Sequence, residues 1–186
     1  MAEGVRLAGR QVALIRGINV GRAKRVAMAD LRGLFEGLGY RDVRTLLNSG
    51  NVIFTVPATD RAEAATRIEE AIATRLGVSA RVMVLTEAEL ADAVSENPLL
   101  AVANDPTRLL VTVFNKPADR KRLASLAQQD WTPEALALGR RVAYLWCAEG
   151  ILASRLWAAV SRALGDAATS RNWATMTKLR ALAEDR

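Results

Sequence analysis

The sequence predicts an α+β protein made of two βαββαβ units in tandem, closed by a C-terminal helix. Three observations predict it. Short apolar runs alternate with longer segments whose apolar residues recur at spacings of three and four. The same succession of elements occurs twice, on either side of a stretch broken by Asn97-Pro98 and Asn104-Asp105-Pro106. At 186 residues, 51% hydrophobic and 25% charged, the chain suits one large or two small packed domains.

The first strand is the apolar run through residues 11–16, which stops at Arg16-Gly17. Met28, Leu31, Leu34, Phe35 and Leu38 then share one helical face, and Gly39 is placed to end that helix. Residues 43–47 and 51–56 read as strands, joined by the hairpin turn chemistry of Asn48-Ser49-Gly50. Asp60 followed by Glu63 reads as a capping box for a helix carrying Ala65, Ile68, Ile72 and Leu76, stopped by Gly77. Residues 80–85 supply a fourth strand. The order βαββαβ is that of a ferredoxin-like unit.

Thr86 with Glu89 marks a further capping box and a short helix carrying Leu90 and Val94. The junction is expected after it, dividing the chain into residues 1–96 and 97–186. In the second part, residues 109–114 form a strand and Pro117 starts a helix with Leu123 and Leu126. Residues 136–138 and 142–146 are short strands around Gly139. Leu152, Leu156, Val160 and Leu164 define a helix over 151–164, residues 167–170 a last strand, and Trp173, Met176, Leu179 and Ala183 a terminal helix. No residue-level repeat accompanies the repeated order.

Composition removes whole classes of chemistry. The chain has no histidine, so Ser-His-Asp and Cys-His pairs are excluded. With Cys147 alone there is neither an intramolecular disulfide nor a usual zinc site, and Cys147 in its apolar run reads as a small buried hydrophobe. No acidic run resembles a calcium loop, so no metal is expected. The N-terminus lacks the apolar core of a signal peptide and no apolar run is long enough to span a membrane, making a cytoplasmic protein the default expectation. Charge is uneven. Residues 1–56 carry nine basic and four acidic side chains, residues 57–100 four and eight, residues 101–186 thirteen and eight. Basic ends favour an anionic partner, although arginine makes up 22 of the 26 cations in an alanine-rich chain, which fits compositional bias equally.

Three segments are candidate sites. Arg16, Gly17, Asn19, Gly21, Arg22, Lys24 and Arg25 form a basic, glycine-bearing loop between a strand and a helix, the arrangement that offers backbone N–H groups and cations to an anion. It is neither a P-loop nor a dinucleotide fingerprint, because the Gly-Lys-Ser/Thr ending and the third glycine are missing. A salt bridge for Arg16 and a solvated loop for the others are the ordinary alternatives. Asn48, Ser49, Gly50 and Asn51 are explained by turn chemistry alone, but the ββ connection of a split unit falls close to the exit of its first strand. Arg171, Asn172 and Trp173, leading to Lys178, combine a helix start with an arginine for phosphate and an indole for stacking. Helix capping and core packing explain them without function. The carboxylates give no convincing catalytic pair: Glu69-Glu70 and Glu87/Glu89 fit solvated faces or caps.

Taken together, ALIRGINVG, MADLRGLFEGLGY, DVRT, NSGNVIF and SRNWATMTKL resemble the bacterial domain-of-unknown-function 1697 (DUF1697) family over nearly the whole chain. The positions that map are Arg16, Gly17, Asn19, Gly21, Ser49, Gly50, Asn51, Arg171, Asn172, Trp173, Thr177 and Lys178. The resemblance implies a duplicated ferredoxin-like arrangement and brings no activity or catalytic residue with it. Arg22 stands where the family often has glycine, which makes this loop bulkier and more basic.

The leading expectation is therefore binding of an anionic, phosphate-bearing ligand, with nucleic acid among the candidates. Arg16, Arg22, Lys24, Arg171 and Lys178 would supply charge, and Asn19, Ser49, Asn51 and Asn172 directional hydrogen bonds. The alternatives are an enzyme on a small phosphorylated substrate, with Lys24 or Lys178 as acid/base, and a protein–protein interaction module. Any cofactor is unknown from the sequence.

Overall fold

The computed structural model describes residues 7–21, 25–58 and 63–185. Its fold is α+β, with two four-stranded antiparallel sheets. The chain divides into two compact units, Met1–Ala88 with Ala181–Arg186, and Glu89–Arg180.

The first unit contains β1 (Leu7–Arg16), α1 (Met28–Gly37), β2 (Arg41–Leu46), β3 (Asn51–Pro57), α2 (Ala64–Ala71) and β4 (Arg81–Thr86). The sheet order is β2-β3-β1-β4. β1 is paired on both sides, and Val12, Ala13, Leu14 and Ile15 are all buried, so both faces of the strand are covered and it reads as an unbroken apolar run rather than an alternating one. Ala13, Ile15, Val52 and Phe54 join Leu31, Leu34, Phe35, Ile68 and Ile72 in one core. Phe35, Tyr40 and Phe54 meet there with ring centroids 5.0–6.0 Å apart.

Local chemistry sets the ends of the helices. α1 stops where Gly39 N–H bonds the Glu36 carbonyl at 2.9 Å. α2 continues as a π-turn over Ile72–Leu76 and ends on left-handed Gly77. Of the expected capping box, Asp60 lies outside the described residues, and Glu63 at the N-cap makes no side-chain cap bond. Residues from the far end of the chain complete the unit. The Arg10 guanidinium donates to the carbonyls of Ala183 and Asp185, and Arg44 pairs with the Asp185 carboxylate at 3.1 Å.

The second unit receives nearly all of α3 (Glu87–Ser95), then β5 (Leu109–Phe114), β6 (Ala135–Leu138), β7 (Val142–Trp146), α4 (Arg155–Leu164), β8 (Ala168–Asn172) and most of α5 (Trp173–Glu184). Its sheet order is β6-β7-β5-β8. The observed boundary precedes the expected one because α3 is bonded to this sheet: Tyr144 donates its hydroxyl to the Ala93 carbonyl at 2.9 Å, and Glu89 pairs with Arg141 at 2.6 Å. Leu110, Phe114, Ala143, Leu145, Leu156, Val160 and Leu164 form its core, with Cys147 buried among them as expected.

Two expected helices change form. The segment after Pro117 is a 3₁₀ helix over Pro117–Leu123, followed by a second over Leu126–Gln128. The helix expected from residue 151 begins as a 3₁₀ turn, Ile151–Ala153, and becomes α-helical only once the Ser154 hydroxyl caps the Trp157 N–H at 2.9 Å. Ser154 is the better start because its oxygen satisfies an otherwise orphaned donor.

Candidate functional site

The loop leaving β1 and the β2–β3 turn are tied together by one side chain. Asn19 sits at φ +55. Its amide nitrogen donates to the carbonyls of Val26 (2.9 Å) and Asn48 (2.8 Å), and its oxygen accepts the Val26 N–H at 2.8 Å. A backbone bond from Ile15 N–H to the Gly50 carbonyl, 2.8 Å, adds a second tie. The juxtaposition expected from strand order is thus realised as direct hydrogen bonding. Asn51, 0% exposed, donates to the Leu46 carbonyl and the Ser49 hydroxyl, both at 2.9 Å, and closes the turn. Gly50 adopts φ +78, and a Cβ there would lie 2.8 Å from Ile18 Cδ1 and 2.9 Å from Ile15 Cβ. No other residue fits that approach.

This clasp buries its framework and exposes its rim. Arg16, Gly17, Val20, Gly21 and Arg25 are exposed on one segment, and Leu47, Asn48 and Ser49 on the other. Arg22 and Lys24 lie outside the described residues. Arg16 stands directly opposite Arg81 across β1 and β4, so two guanidinium-bearing residues begin this end of the sheet. Glu69 offsets part of that charge, pairing with Arg81 at 3.4 Å and accepting the Val82 N–H at 2.8 Å. It is therefore a bonded group rather than the solvated one expected. Val20 is 68% exposed and Leu47 53%, the latter at φ +58. Neither stood out from the sequence, since turn patterns do not report which apolar residue is left outside.

The third candidate segment lies in the second unit and is also bonded internally. Asn172 caps α5, its side-chain oxygen accepting the Thr175 N–H at 2.9 Å. Arg171 donates to the Thr169 hydroxyl (2.9 Å) and the Ser170 carbonyl (2.8 Å), and burial pulls its pKa down to about 10. Trp173 is half-buried, and Lys178 is exposed on α5. Asn19, Asn51 and Asn172 thus all have structural work for the amide groups that were expected to recognise a ligand.

A cavity of about 60 Å³ in the second unit was not anticipated. Glu89, Asp92 and Glu96 of one helical face, Arg140 and Arg141 before β7, and Tyr144 line it. Ala93 and Val142 complete the apolar part. Burial, with Glu96 and Asp92 nearby, pushes the Tyr144 hydroxyl up to about 12. The signal in the sequence was the helical spacing of three acids, Glu89 and Asp92 in α3 and Glu96 just after it, with paired arginines after Gly139.

Among the described residues no helix is long and apolar enough to cross a membrane, and no group of three or more His, Cys, Asp or Glu side chains is placed to hold a metal ion. Among solved structures, the chain is similar to a conserved bacterial protein, SP0830, from Streptococcus pneumoniae. The two share 22% identity at a TM-score of 0.78, over 97% of this chain and 100% of that one. That likeness speaks for the fold alone. No curated protein matches. The model of a protein family of unknown function, DUF1697, matches residues 9–144, which include the clasp and both carboxylate- and arginine-bearing walls of the cavity. The chain belongs to the DUF1697 family.

Proposed function

We propose that the clasp is a recognition surface for an anionic, phosphate-bearing ligand, with nucleic acid the first class to test. The observation that supports this most is the Asn19 side chain. Its three hydrogen bonds hold two glycine-bearing segments as one rigid edge, while Arg16 and Arg25 remain exposed on it. A preorganised edge loses little entropy when a ligand docks. Charge comes from Arg16 and Arg25, with Arg22 and Lys24 of the same segment adding to it, and backbone at Gly17 and Gly21 permits close approach. Ser49, an exposed residue of the bonded turn, has its hydroxyl held by Asn51. The Arg171 segment stands outside this reading, as its cap and its buried cation have internal duties. We also read each unit as ferredoxin-like, supported by the strand orders β2-β3-β1-β4 and β6-β7-β5-β8, and place the protein in the cytoplasm.

The test is fluorescence anisotropy with labelled single-stranded RNA and DNA, beside thermal shifts with nucleotides, at low and moderate salt. Binding should weaken with salt, and Arg16→Ala and Arg25→Ala should each lower the salt slope by about one. A folded double variant that keeps full affinity would sink the reading. A second reading, a protein partner, is favoured by Val20 and Leu47, two exposed aliphatic side chains that neighbour the bonded Asn19 and Asn48 in the chain. It predicts that Val20→Ser with Leu47→Ser abolishes binding while the arginine variants only slow association.

A further inference from the structure

We propose that the cavity of the second unit binds a small zwitterionic amino acid, its ammonium between Asp92 and Glu96 and its carboxylate on Arg140. This site is independent of the clasp. Two of the five charged groups in its lining are already matched: Glu89 and Arg141 pair at 2.6 Å, and Arg141 also donates to the Phe114 carbonyl at 3.2 Å. They form a fixed wall.

Asp92, Glu96 and Arg140 remain, and none makes an ion pair among the described residues. Asp92 and Glu96 are one helical turn apart, with the Glu96 N–H bonded to the Asp92 carbonyl, so their like charges repel. A cation between them relieves that repulsion. The acids of this chain are nowhere grouped to hold a metal ion, among the described residues, so the complement is an extended organic cation. Arg140 adds the opposite demand, which a plain amine leaves unmet and a plain carboxylate meets only against two acids. A zwitterion satisfies both signs at once.

Size narrows the class. A volume of about 60 Å³ corresponds to roughly four to six water-sized groups. Glycine, alanine and β-alanine fit that count, a nucleotide does not, and Ala93 and Val142 offer apolar surface to a short side chain.

The experiment is isothermal titration calorimetry of the full chain with glycine, alanine and β-alanine, against ethylamine and propionate as single-charge controls. Saturable heat is expected from at least one zwitterion, with both controls about tenfold weaker or more. Asp92→Asn, Glu96→Gln and Arg140→Gln change exposed side chains, and each should weaken the zwitterion about tenfold with circular dichroism unchanged. Three outcomes overturn the proposal: no saturable heat from any zwitterion, ethylamine binding as tightly, or affinity retained in Arg140→Gln. A thermal stabilisation that rises linearly with amino acid and survives in all three variants is osmolyte exclusion and counts against the site.

Discussion

Asn19 shows how one amide in a left-handed conformation organises two segments. Removing its side chain leaves the Val26 N–H and two carbonyls without their partner. Asn19→Ala should therefore lower stability by about 2–4 kcal/mol, at ~1 kcal/mol per hydrogen bond with a penalty for buried groups, as read by urea unfolding. Two glycines of the same clasp separate conformation from space. Gly21 has φ +57 with open surroundings, whereas Gly50 at φ +78 has Ile15 and Ile18 against it. Gly21→Ala should cost about 1 kcal/mol, and Gly50→Ala about 2–4 kcal/mol because overpacking adds to the left-handed cost. Leu47 is the reverse case, a leucine held at φ +58 and exposed. Leu47→Asn should raise stability by about 1 kcal/mol and, if the aliphatic edge has a partner, weaken that partner.

At the scale of elements, tyrosine and helix are coupled through α3. Tyr144 is 2% exposed and donates to Ala93. Unfolded, a tyrosine loses its proton near its ordinary value of 10, while Tyr144 in the folded chain keeps it to about 12. Between those values the folded state binds more protons, so stability falls as pH rises, by at most about 2–3 kcal/mol. Tyr144→Phe should flatten that alkaline limb in pH-dependent unfolding and cost about 1 kcal/mol at neutral pH for the lost hydrogen bond. The elements themselves were largely legible, because buried strands and amphipathic helices write their periods into the order of residues. Pro117 and Ile151 misled: proline at a helix start and a continuing apolar stripe fit α- and 3₁₀-helix alike, and what decided the second case was the cap at Ser154. The site was legible only in part. Strand adjacency brought the loop at residues 16–19 and the turn at 48–51 together in advance, but which asparagine spends its amide on the backbone is settled by tertiary hydrogen bonding. The cavity was hidden because its acids and arginines come from distant segments.

For the whole molecule, the break in the chain and the boundary between units do not coincide. Asn97-Pro98 and Asn104-Asp105-Pro106 interrupt the sequence inside the second unit, after α3 has been bonded to its sheet. The first unit, for its part, is closed by a segment that follows the second, through Arg10 with Ala183 and Asp185 and Arg44 with Asp185. A chain ending at Arg180 should fold with its second unit little changed. Its first unit should be weakened by about 1–3 kcal/mol, because neither arginine then has its charge-assisted acceptors. Hydrogen exchange at β1 and β2 against β5 and β7 distinguishes the two.

That closure also sets a schedule for synthesis. Arg10 and Arg44 leave the ribosome well before the segment they bind, Ala183 to Asp185, with the whole second unit translated in between. At about 5–20 residues per second, the early half waits several seconds without its final partners, while the later half is still being added. The unit translated earlier is thus completed after the one that follows it, and a chain stalled before Ala183 carries that deficit.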